Sequence, residues 1–283
     1  MNINTQNSEG YPIVSIVIIT RNSLKFTKEC IDSVVRYTHI SYELIIIDNN
    51  SYDGTKEYLQ GLQLIKCLYN SENKGFPYSC NQGIKEAKGE YVVLLNNDTV
   101  VTEGWLTRLI VPFQRDQTIG IVGPVSNFVI KDQLVDDPPY NTIATMHRFA
   151  RERGIRLNGK GKYTTLISGF CMVFPRYLVQ YIGGFDVGFS PGYYEDADFC
   201  IRAQIYGKKA WVAEDVFIHH YGSQSFKKSS EAEIQSIAYR ERLFLSKWRL
   251  KTLYNNEEIQ RMIEREKPFR RDKHYVSLDS SIQ

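Results

Sequence analysis

The chain has 283 residues, of which 42% are hydrophobic, 24% are charged and 13% are aromatic. This composition is typical of a globular protein with one large or two small domains. It excludes a disordered tail protein and a coiled coil, because both are poor in aromatic residues. The net charge of +3 is too small to indicate nucleic-acid binding, so we expect no nucleic acid among the partners.

The small positive charge is concentrated in the last fifth of the chain. Residues 226–283 contain 13 Lys and Arg against 9 Asp and Glu, and the residues before them have a net charge of −1. One interpretation is that this basic segment makes peripheral contact with an anionic membrane surface. The other interpretation is an ordinary solvated helix face.

The cysteines and the hydropathy of the sequence indicate the cellular compartment in which we expect the protein. The five cysteines include no C-x-x-C pair, so they indicate buried thiols in a reducing environment rather than disulfides or a zinc ribbon. The apolar stretch Ile16–Ile19 is far shorter than a secretory core or the roughly 20 residues of a membrane span. We therefore expect a cytoplasmic protein whose membrane contact, where it occurs, is peripheral and at the inner face.

After a polar segment at residues 1–10, predicted to be disordered, β-rich runs alternate with amphipathic stretches. The runs are continuously hydrophobic, which indicates strands buried on both faces, and the stretches between them have helical spacing. This order predicts a parallel sheet of βα units. The predicted strands are Ile13–Ile19, Leu44–Ile47, Leu64–Leu68, Tyr91–Leu95 and Ile119–Val122, and the predicted helices cover about Thr27–Val35, a short segment from Asp53, Pro77–Ala87 and Glu103–Phe113.

The pattern changes at about Ser126. Residues 126–162 carry little periodic signal, which we interpret as a functional or mobile loop. Beyond it the sequence predicts strands at Leu166–Phe174 and Val216–His219 and a helix from Glu195. The C-terminal part predicts a helix with the capping box Ser230-x-x-Glu233 and an apolar stripe of Ile234, Ile237, Phe244, Leu245 and Trp248, followed by a second helix over Glu257–Arg265.

Polar side chains follow three of the predicted strands where each strand ends. In an open parallel sheet, ligands bind at the carboxyl ends of the strands, so these side chains should share one rim. Local structure also explains two of the groups, one as an Asx turn before a helix capped by Asp53 and one as a helix-capping loop. The rim residues are Thr20, Arg21, Asn22, Asp48, Asn49, Asn50, Ser51, Asn96, Asn97 and Asp98.

Two common nucleotide-binding motifs are missing from the sequence. There is no G-x-G-x-x-G after the first predicted strand and no G-x-x-x-x-G-K-[ST] in the chain. Both motifs use glycines so that the backbone can approach phosphate groups closely. Their absence argues against a dinucleotide-dependent oxidoreductase and a phosphate-loop NTPase.

Seven strings occur in the order found in the family-2 glycosyltransferases of the GT-A fold, and the chain resembles that family over roughly residues 12–226. The strings are SIVIITRN (Ser15–Asn22), IIIDNNSYDGT (Ile45–Thr55), NKGF (Asn73–Phe76), YVVLLNNDT (Tyr91–Thr99), GGFD (Gly183–Asp186), YYEDADFCIRA (Tyr193–Ala203) and FIHHYGSQSF (Phe217–Phe226). The chain is similar in particular to bacterial rhamnosyl- and N-acetylhexosaminyltransferases. The resemblance implies an α/β GT-A fold, with a Rossmann-like, mixed but mostly parallel sheet flanked by helices. It divides the chain into a catalytic domain at 11–226 and C-terminal amphipathic helices with a basic tail at 227–283.

The resemblance implies that the first two strand ends form the donor nucleotide pocket. Asp48 can accept the imide N–H of uracil or thymine, which no purine presents in that way, so we expect a UDP- or dTDP-sugar. Lys74 or Arg21 would neutralise phosphate, although either is also explained as a surface cation. The remaining residues predicted to contact the donor nucleotide are Thr20, Asn22, Asn50, Asn73, Asn96 and Asn97.

The resemblance also implies a divalent cation, Mn²⁺ or Mg²⁺, that bridges the two phosphates of the donor. The family's D-x-D motif reads Asn96-Asn97-Asp98 here, so Asp98 would bind the metal. Asn96 would hydrogen-bond the ribose or a metal-bound water, which lowers the expected metal affinity. The family's metal-binding histidine matches His219 or His220, and since neighbouring strand residues face opposite sides, we favour His220.

The segment Glu195-Asp196-Ala197-Asp198 matches the family's E-D-x-D pattern. The resemblance assigns to Asp196 the role of base, which takes the acceptor hydroxyl proton on the ring face opposite the leaving group. Glu195 is the second predicted catalytic residue, and together with Asp198 it would raise the pKa of Asp196 through like charge. The other interpretation is that acids in a first helical turn are favoured by the helix dipole. We expect Arg202 to pair with Asp198 one turn earlier.

Three residues are predicted to face the transferred sugar or the acceptor, namely Gly169, Tyr194 and Asp198. The leading prediction is an inverting glycosyltransferase that uses a hydroxyl acceptor on a lipid-linked or other glycan, a cell-wall polymer or polysaccharide, or a protein. One alternative is a sugar-phosphate nucleotidyltransferase, against which stands the lack of a Gly-rich basic loop after Ile19. The other is a non-catalytic nucleotide-sugar- or carbohydrate-binding domain, which Asn96 leaves open. The stripe Ile234–Trp248 predicts packing on the chain's own domain or, alternatively, a homodimer.

Overall fold

The computed structural model describes residues 13–63, 65–129, 131–222, 231–253 and 255–279. Three features of the sequence analysis lie outside these residues. They are the predicted disordered segment at 1–10, the predicted domain boundary at 226/227 and the capping residue Ser230.

The described residues form an eight-stranded mixed sheet and a separate two-stranded sheet. The large sheet has the order β3-β2-β1-β4-β8-β6-β9-β7, in which β8 and β7 run antiparallel to their neighbours and the other pairs are parallel. The small sheet pairs β10 with β5 antiparallel. The strands are β1 (Val14–Thr20), β2 (Tyr42–Asp48), β3 (Lys66–Tyr69), β4 (Tyr91–Asn96), β5 (Thr99–Val100), β6 (Ile119–Val125), β7 (Gly161–Thr164), β8 (Cys171–Pro175), β9 (Lys209–Phe217) and β10 (His219–His220).

Two hydrophobic clusters of buried residues lie on opposite faces of the same strands. Helices cover both faces of the large sheet and bury these clusters. All seven residues of β1 are buried, as the continuous hydrophobic pattern predicts for a central parallel strand. The helices are α1 (Leu24–Tyr37), α2 (Thr55–Gln60), α3 (Phe76–Glu86), α4 (Trp105–Arg115), α5 (Ile143–Arg156), α6 (Leu178–Ile182), α7 (Glu195–Ile205), α8 (Glu231–Trp248), α9 (Asn256–Glu266) and α10 (Arg271–His274).

The segment 126–162, predicted to be a loop without regular structure, contains a helix of 14 residues, so that prediction is wrong for α5. Thr142 caps this helix, and its side chain and that of Thr145 bond each other's backbone reciprocally. The buried side of α5 consists of Met146, Ala150 and Gly154. Two of these three side chains are small or absent, so the helix shows almost no apolar periodicity in the sequence.

The C-terminal helices pack against the same core as the sheet. Phe244 and Trp248 of α8 and Ile259 of α9 belong to the cluster that contains residues of β1, β2 and β4. The predicted apolar stripe of α8 is therefore buried in its second half, whereas Ile234 is 57% exposed. Before Phe244, the buried side chain in the described part of α8 is that of Arg240. No helix in the described part of the chain is long and apolar enough to span a membrane.

Replacing Gly83 with alanine tests the contact between α3 and β1. A Cβ atom at Gly83 would stand 2.2 Å from Cγ1 of Val17, which is much closer than van der Waals contact allows. We expect Gly83→Ala to lower the free energy of unfolding by about 1–3 kcal/mol, measured by urea denaturation. Gly61→Ala, whose nearest atom would be 3.4 Å away, is the control. Equal stabilities of the two variants would contradict this packing.

Candidate active site

The three polar strand ends predicted to share a rim do so. Strands β2 and β4 flank β1 on either side, with Thr20 paired to Asp48 and Ile19 paired to Asn96. The parallel direction of these strands places their carboxyl ends at the same edge of the sheet. The rim therefore brings residues from three separate parts of the chain into one surface.

Thr20 lies beneath this surface, and the side chain of the half-buried Asn97 is bonded to it. The Asn97 Nδ2 atom donates to the hydroxyls of Thr20 (3.1 Å) and Thr27 (3.0 Å), and those two hydroxyls are 2.8 Å apart. Thr20 and Thr27 are buried. These hydrogen bonds hold β1, α1 and the loop after β4 together. The role of Thr20 and Asn97 as contacts to the donor stays a prediction.

Asp48 ends β2 and is 1% exposed. Its Oδ1 accepts the backbone N–H of Ser51 at 3.2 Å. Burial raises the pKa of Asp48, and hydrogen bonds from Ser51 oppose that rise. Asn22 and Asn50 adopt left-handed backbone conformations, with φ of 58° and 66°, which asparagine tolerates better than most residues. The turns that follow β1 and β2 are bonded to each other, because the Asn22 backbone N–H donates to the Ser51 hydroxyl at 2.7 Å.

Asn49, which the sequence analysis left without a specific role, organises the neighbouring loop. Its Nδ2 donates to Oδ1 of Asn73 at 2.7 Å, and its Oδ1 accepts the Lys74 backbone N–H at 2.9 Å. The Asn73 side chain is therefore engaged within the loop. The Lys74 ammonium forms an ion pair with Glu72 rather than standing alone at the rim. Arg21 and Asn50 are exposed at this edge.

Asp98 and His220 are in direct contact although 122 positions separate them. The His220 Nε2 atom lies 3.1 Å from Oδ1 of Asp98, and both residues are 8% exposed. The other ring nitrogen, Nδ1, lies 2.8 Å from the carbonyl oxygen of Phe128. A carbonyl oxygen only accepts, so Nδ1 carries a proton, and in a neutral ring Nε2 then presents a lone pair to the carboxylate. Two acceptors facing each other at this distance require a proton or a cation between them.

The chemistry of this pair fits a divalent cation. Two ligands that stand about 2.1 Å from an octahedral cation and 90° apart are about 3.0 Å from each other. Oxygen and imidazole nitrogen are both ligands that Mn²⁺ accepts, and the proton on Nδ1 fixes the ring for coordination through Nε2. Among the described residues no group of three or more His, Cys, Asp or Glu side chains could hold a metal. In the described part of the chain, this position therefore has two such ligands, Asp98 and His220. The Asn96 Nδ2 atom lies 3.5 Å from His220 Nε2.

His219 faces away from this pair, as the alternation along a strand predicts. Its Nδ1 atom lies 2.7 Å from the Tyr140 hydroxyl, and burial lowers its pKa to about 4. The ring of His219 is therefore engaged with Tyr140 rather than with Asp98, which favours His220 of the two predicted alternatives. Of the two adjacent histidines, His220 is the one that contacts Asp98.

Three residues that support His220 were missed by the sequence analysis or not given this role. Asn127 exchanges two hydrogen bonds with the His220 backbone, at 2.9 and 3.0 Å. Phe128 supplies the carbonyl that accepts from Nδ1, and the Phe170 ring stacks on the imidazole with centroids 5.1 Å apart. Asn127 and Phe128 lie in the stretch without periodic signal, so no local pattern identifies them.

Asp196 and Gly169 meet at the beginning of α7. The Gly169 backbone N–H donates to Oδ2 of Asp196 at 2.8 Å, and the Ala197 N–H donates to Oδ1 at 2.8 Å. Asp196 is partly exposed. Burial raises its pKa, whereas these backbone donors lower it. Burial is thus the main cause of the rise at Asp196. The like-charge repulsion between the two neighbouring acids is seen at Glu195, whose pKa the Asp196 carboxylate raises.

Glu195, by contrast, is buried at 4% exposure, and its Oε2 atom has no hydrogen-bond partner among the described residues. Burial and the neighbouring Asp196 carboxylate raise its pKa well above the ordinary value, while Arg240 opposes the rise. Burying the Glu195 carboxyl group therefore costs less free energy when the group is protonated than when it is ionised. The two adjacent acids at the start of α7 have different surroundings, one partly open and one closed.

Tyr194 and Asp198, both predicted to face the sugar or the acceptor, make contacts within the fold. Tyr194 precedes α7 with a φ of 73°, and its ring packs on Phe244 of α8 with centroids 5.6 Å apart. Asp198 is fully buried, and its oxygens pair with Arg202 at 2.8 Å and Lys247 at 2.7 Å. The prediction that Asp198 contacts sugar or acceptor is wrong, since cations of the fold occupy its carboxylate. The expected pairing of Asp198 with Arg202 is confirmed.

The raised pKa of Glu195 leads to a testable dependence of stability on pH. The folded protein holds this proton to higher pH than the unfolded chain does, so its contribution to stability is lost as pH rises above the ordinary Glu value. We expect Glu195→Gln to gain free energy of unfolding relative to the wild type between pH 4 and pH 8, measured by urea denaturation. Glu152→Gln, at an exposed position, is the control and should show no such trend. A constant difference across this range would argue against a buried, protonated Glu195.

Several glycosyltransferases are similar to this chain in sequence. The glycosyltransferase GlyG of Streptococcus pneumoniae is 25% identical over 120 residues, which cover 41% of this chain and 40% of that protein. An uncharacterised glycosyltransferase of Rickettsia typhi is 27% identical over 184 residues, which cover 62% of this chain and 54% of that protein. The chain thus spans about half or less of the length of these two relatives.

Solved structures with the same fold include two glycosyltransferases. GalNAc-T7 with UDP, GalNAc and Mn²⁺ superposes with a TM-score of 0.63 at 17% identity, covering 98% of this chain and 58% of that one. The mannosyltransferase PcManGT of Pyrobaculum calidifontis, in complex with GDP-Man and Mn²⁺, gives 0.57 at 16% identity, covering 94% and 77%. At these identities the likeness establishes the GT-A fold. The model of the family described as "Glycosyl transferase family 2" matches residues 15–183, more than half of the chain, and the chain belongs to that family.

Proposed function

We propose that this chain transfers a sugar from a pyrimidine nucleotide donor, UDP- or dTDP-linked, to an acceptor hydroxyl with inversion at the anomeric carbon. One observation carries the proposal. The consecutive residues Gly169 and Phe170 contact Asp196 and His220, respectively, so the candidate base and the candidate metal pair flank one short segment. A donor bound at the strand ends would lie between them.

The donor nucleotide would occupy the edge formed by the ends of β1, β2 and β4. Asp48 is an acceptor for an imide N–H, which supports uracil or thymine over a purine. The two comparison structures hold UDP in one case and GDP-Man in the other, so the fold alone does not fix the base. Exposed Arg21 and Asn50 at the same edge are available for phosphate and ribose.

Asp98 and His220 would hold a divalent cation, Mn²⁺ or Mg²⁺. When bound, the cation offsets the negative charge that develops on the diphosphate leaving group. Both comparison structures were determined with Mn²⁺, which supports this cofactor. The backbone bonds from Asn127 and the carbonyl of Phe128 would keep the His220 ring in one orientation while the donor binds.

Asp196 would act on the acceptor. Its carboxylate takes the hydroxyl proton while the acceptor oxygen bonds to the anomeric carbon, and the bond from that carbon to the diphosphate oxygen breaks. The leaving nucleoside diphosphate keeps the electron pair. Two backbone N–H groups orient the carboxylate, and burial raises its pKa toward the range in which a base accepts a proton well. The acceptor would be a hydroxyl of a glycan, a lipid-linked glycan or a protein.

Nucleotide binding by metal-pair variants tests the first half of the proposal. We expect calorimetry to show UDP or dTDP binding that Mn²⁺ strengthens, and Asp98→Asn and His220→Gln each to weaken it about 10-fold or more. His219→Gln is the matched control, because this neighbouring ring contacts Tyr140 instead. Equal weakening by all three variants, or no binding of either nucleotide to the wild type, would contradict the proposed site.

Turnover by Asp196→Asn tests the second half. Removing the base should lower the rate of donor turnover by about 10²–10⁴-fold. The affinity for the nucleotide should stay within about twofold, because Asp196 lies across the Gly169–Phe170 segment from the metal pair. Release of UDP or dTDP from a panel of nucleotide sugars, with and without Mn²⁺, measures the rate. Wild-type turnover in this variant would remove Asp196 from the mechanism, and a chain that binds donor but never turns it over would be a binding module.

A further inference from the structure

The C-terminal helix α8 reaches the segment that carries the candidate base. The Lys247 ammonium lies 2.7 Å from Oδ1 of Asp198 on α7 and 2.7 Å from Oδ2 of Asp186. The indole Nε1–H of Trp248 donates to the same Asp198 oxygen at 3.1 Å. Two consecutive residues at the end of α8 therefore bind the carboxylate that lies two positions after Asp196.

The other Asp198 oxygen is bound from within the catalytic domain. Arg202 Nε donates to Oδ2 at 2.8 Å, and the two terminal nitrogens of Arg202 donate to the carbonyls of Ile182 and Gly184 at 2.7 Å each. Asp198 and Arg202 are fully buried. The cluster formed by Asp186, Asp198, Arg202 and Lys247 has two negative and two positive charges, and Lys247 is the member that comes from the C-terminal helix α8.

The positions of these contacts explain why Lys247 matters for Asp196. Asp186 caps the short turn Val187–Phe189 through the Gly188 N–H at 2.9 Å, and Asp198 lies in the first turn of α7. Lys247 thus joins the two ends of the segment 186–198. Tyr193 and Tyr194, just before α7, have φ values of 78° and 73°, so this segment follows a path that the backbone does not favour without external contacts.

Helix α8 makes a second approach to the acidic motif through Arg240. This residue is 3% exposed, and its guanidinium lies 5.8 Å from the centre of the Tyr193 ring. Its positive charge opposes the rise in the pKa of Glu195. Both ends of the acidic motif are therefore next to a cation of α8, Arg240 near Glu195 and Lys247 at Asp198.

We propose that α8 is part of the catalytic unit and that Lys247 is a positioning residue, which holds Asp196 in place through Asp198 and Asp186. The inference rests on the proposed function for the role of Asp196. Phe244 and Trp248 already attach α8 to the core through apolar packing. The ion pair between buried Asp198 and the partly exposed Lys247 is expected to add little net stability to that packing. What the charges add is one defined arrangement of the segment 186–198.

The first test measures order and needs no substrate. In Lys247→Met, amide hydrogen exchange of peptides covering residues 186–198 should be about fivefold faster or more than in the wild type. Arg242→Met is the matched control, since Arg242 is an exposed cation of the same helix and forms no ion pair in the described part of the chain. Equal exchange in the two variants overturns the proposal. Lys247→Arg, which keeps the charge, should restore most of the protection.

The second test separates positioning from binding. In Lys247→Met we expect kcat to fall about tenfold or more with the donor KM within about twofold, because a small displacement of a base costs rate rather than affinity. Unchanged kcat in this variant overturns the proposal. If Lys247→Met does not fold, Trp248→Phe removes one hydrogen bond to Asp198 and keeps the aromatic packing, and the same comparison applies. If the wild type turns over no donor, the proposed function fails, and the exchange measurement alone decides whether Lys247 orders the segment.

Discussion

The buried ion pair between Asp198 and Arg202 is the contact on which the arrangement of the candidate site depends. Both side chains are shielded from solvent, so their charges are acceptable only if every polar atom finds a partner. Arg202 meets this condition by donating to carbonyls on either side of Gly183, and Asp198 meets it by accepting from α8. Helix α7 is thereby fixed to two other parts of the chain at its first turn, where Asp196 lies.

The candidate metal pair, Asp98 and His220, depends on a different constraint, the short antiparallel ladder between β5 and β10. Thr99 pairs with His220 in this ladder, so Asp98 must lie beside the histidine ring. The two strands have only two residues each, and the Tyr221 N–H bonded to the Asp98 carbonyl extends the contact. A small element outside the main sheet thus joins the end of β4 to the end of β9.

The parts of the site that could be predicted from the sequence are those with a local pattern. Continuous hydrophobic runs mark β1, β2 and β4, and the polar residues after them identify the rim. The alternation along a strand separates His219 from His220. Partners from distant parts of the chain have no such pattern. Asn127 holds His220 from a segment without periodicity, and Lys247 binds Asp198 from α8, a separate helix near the C-terminal end of the chain. Asp198 itself was misassigned because a motif gives residue types and order but not the direction of a side chain.

The neutral residue at Asn96 affects how the proposed cation would be held. With Asp98 and His220 as its protein ligands, a dication would keep a net positive charge, since the imidazole is neutral and the chain supplies one carboxylate. A second carboxylate at position 96 would cancel that charge before the donor arrives. The remaining positive charge would instead attract the diphosphate. The metal and the nucleotide should therefore each bind the protein far more tightly when the other is bound. Under the proposed function, Asn96 would therefore weaken metal binding to the free protein while preserving the attraction that stabilises the leaving group.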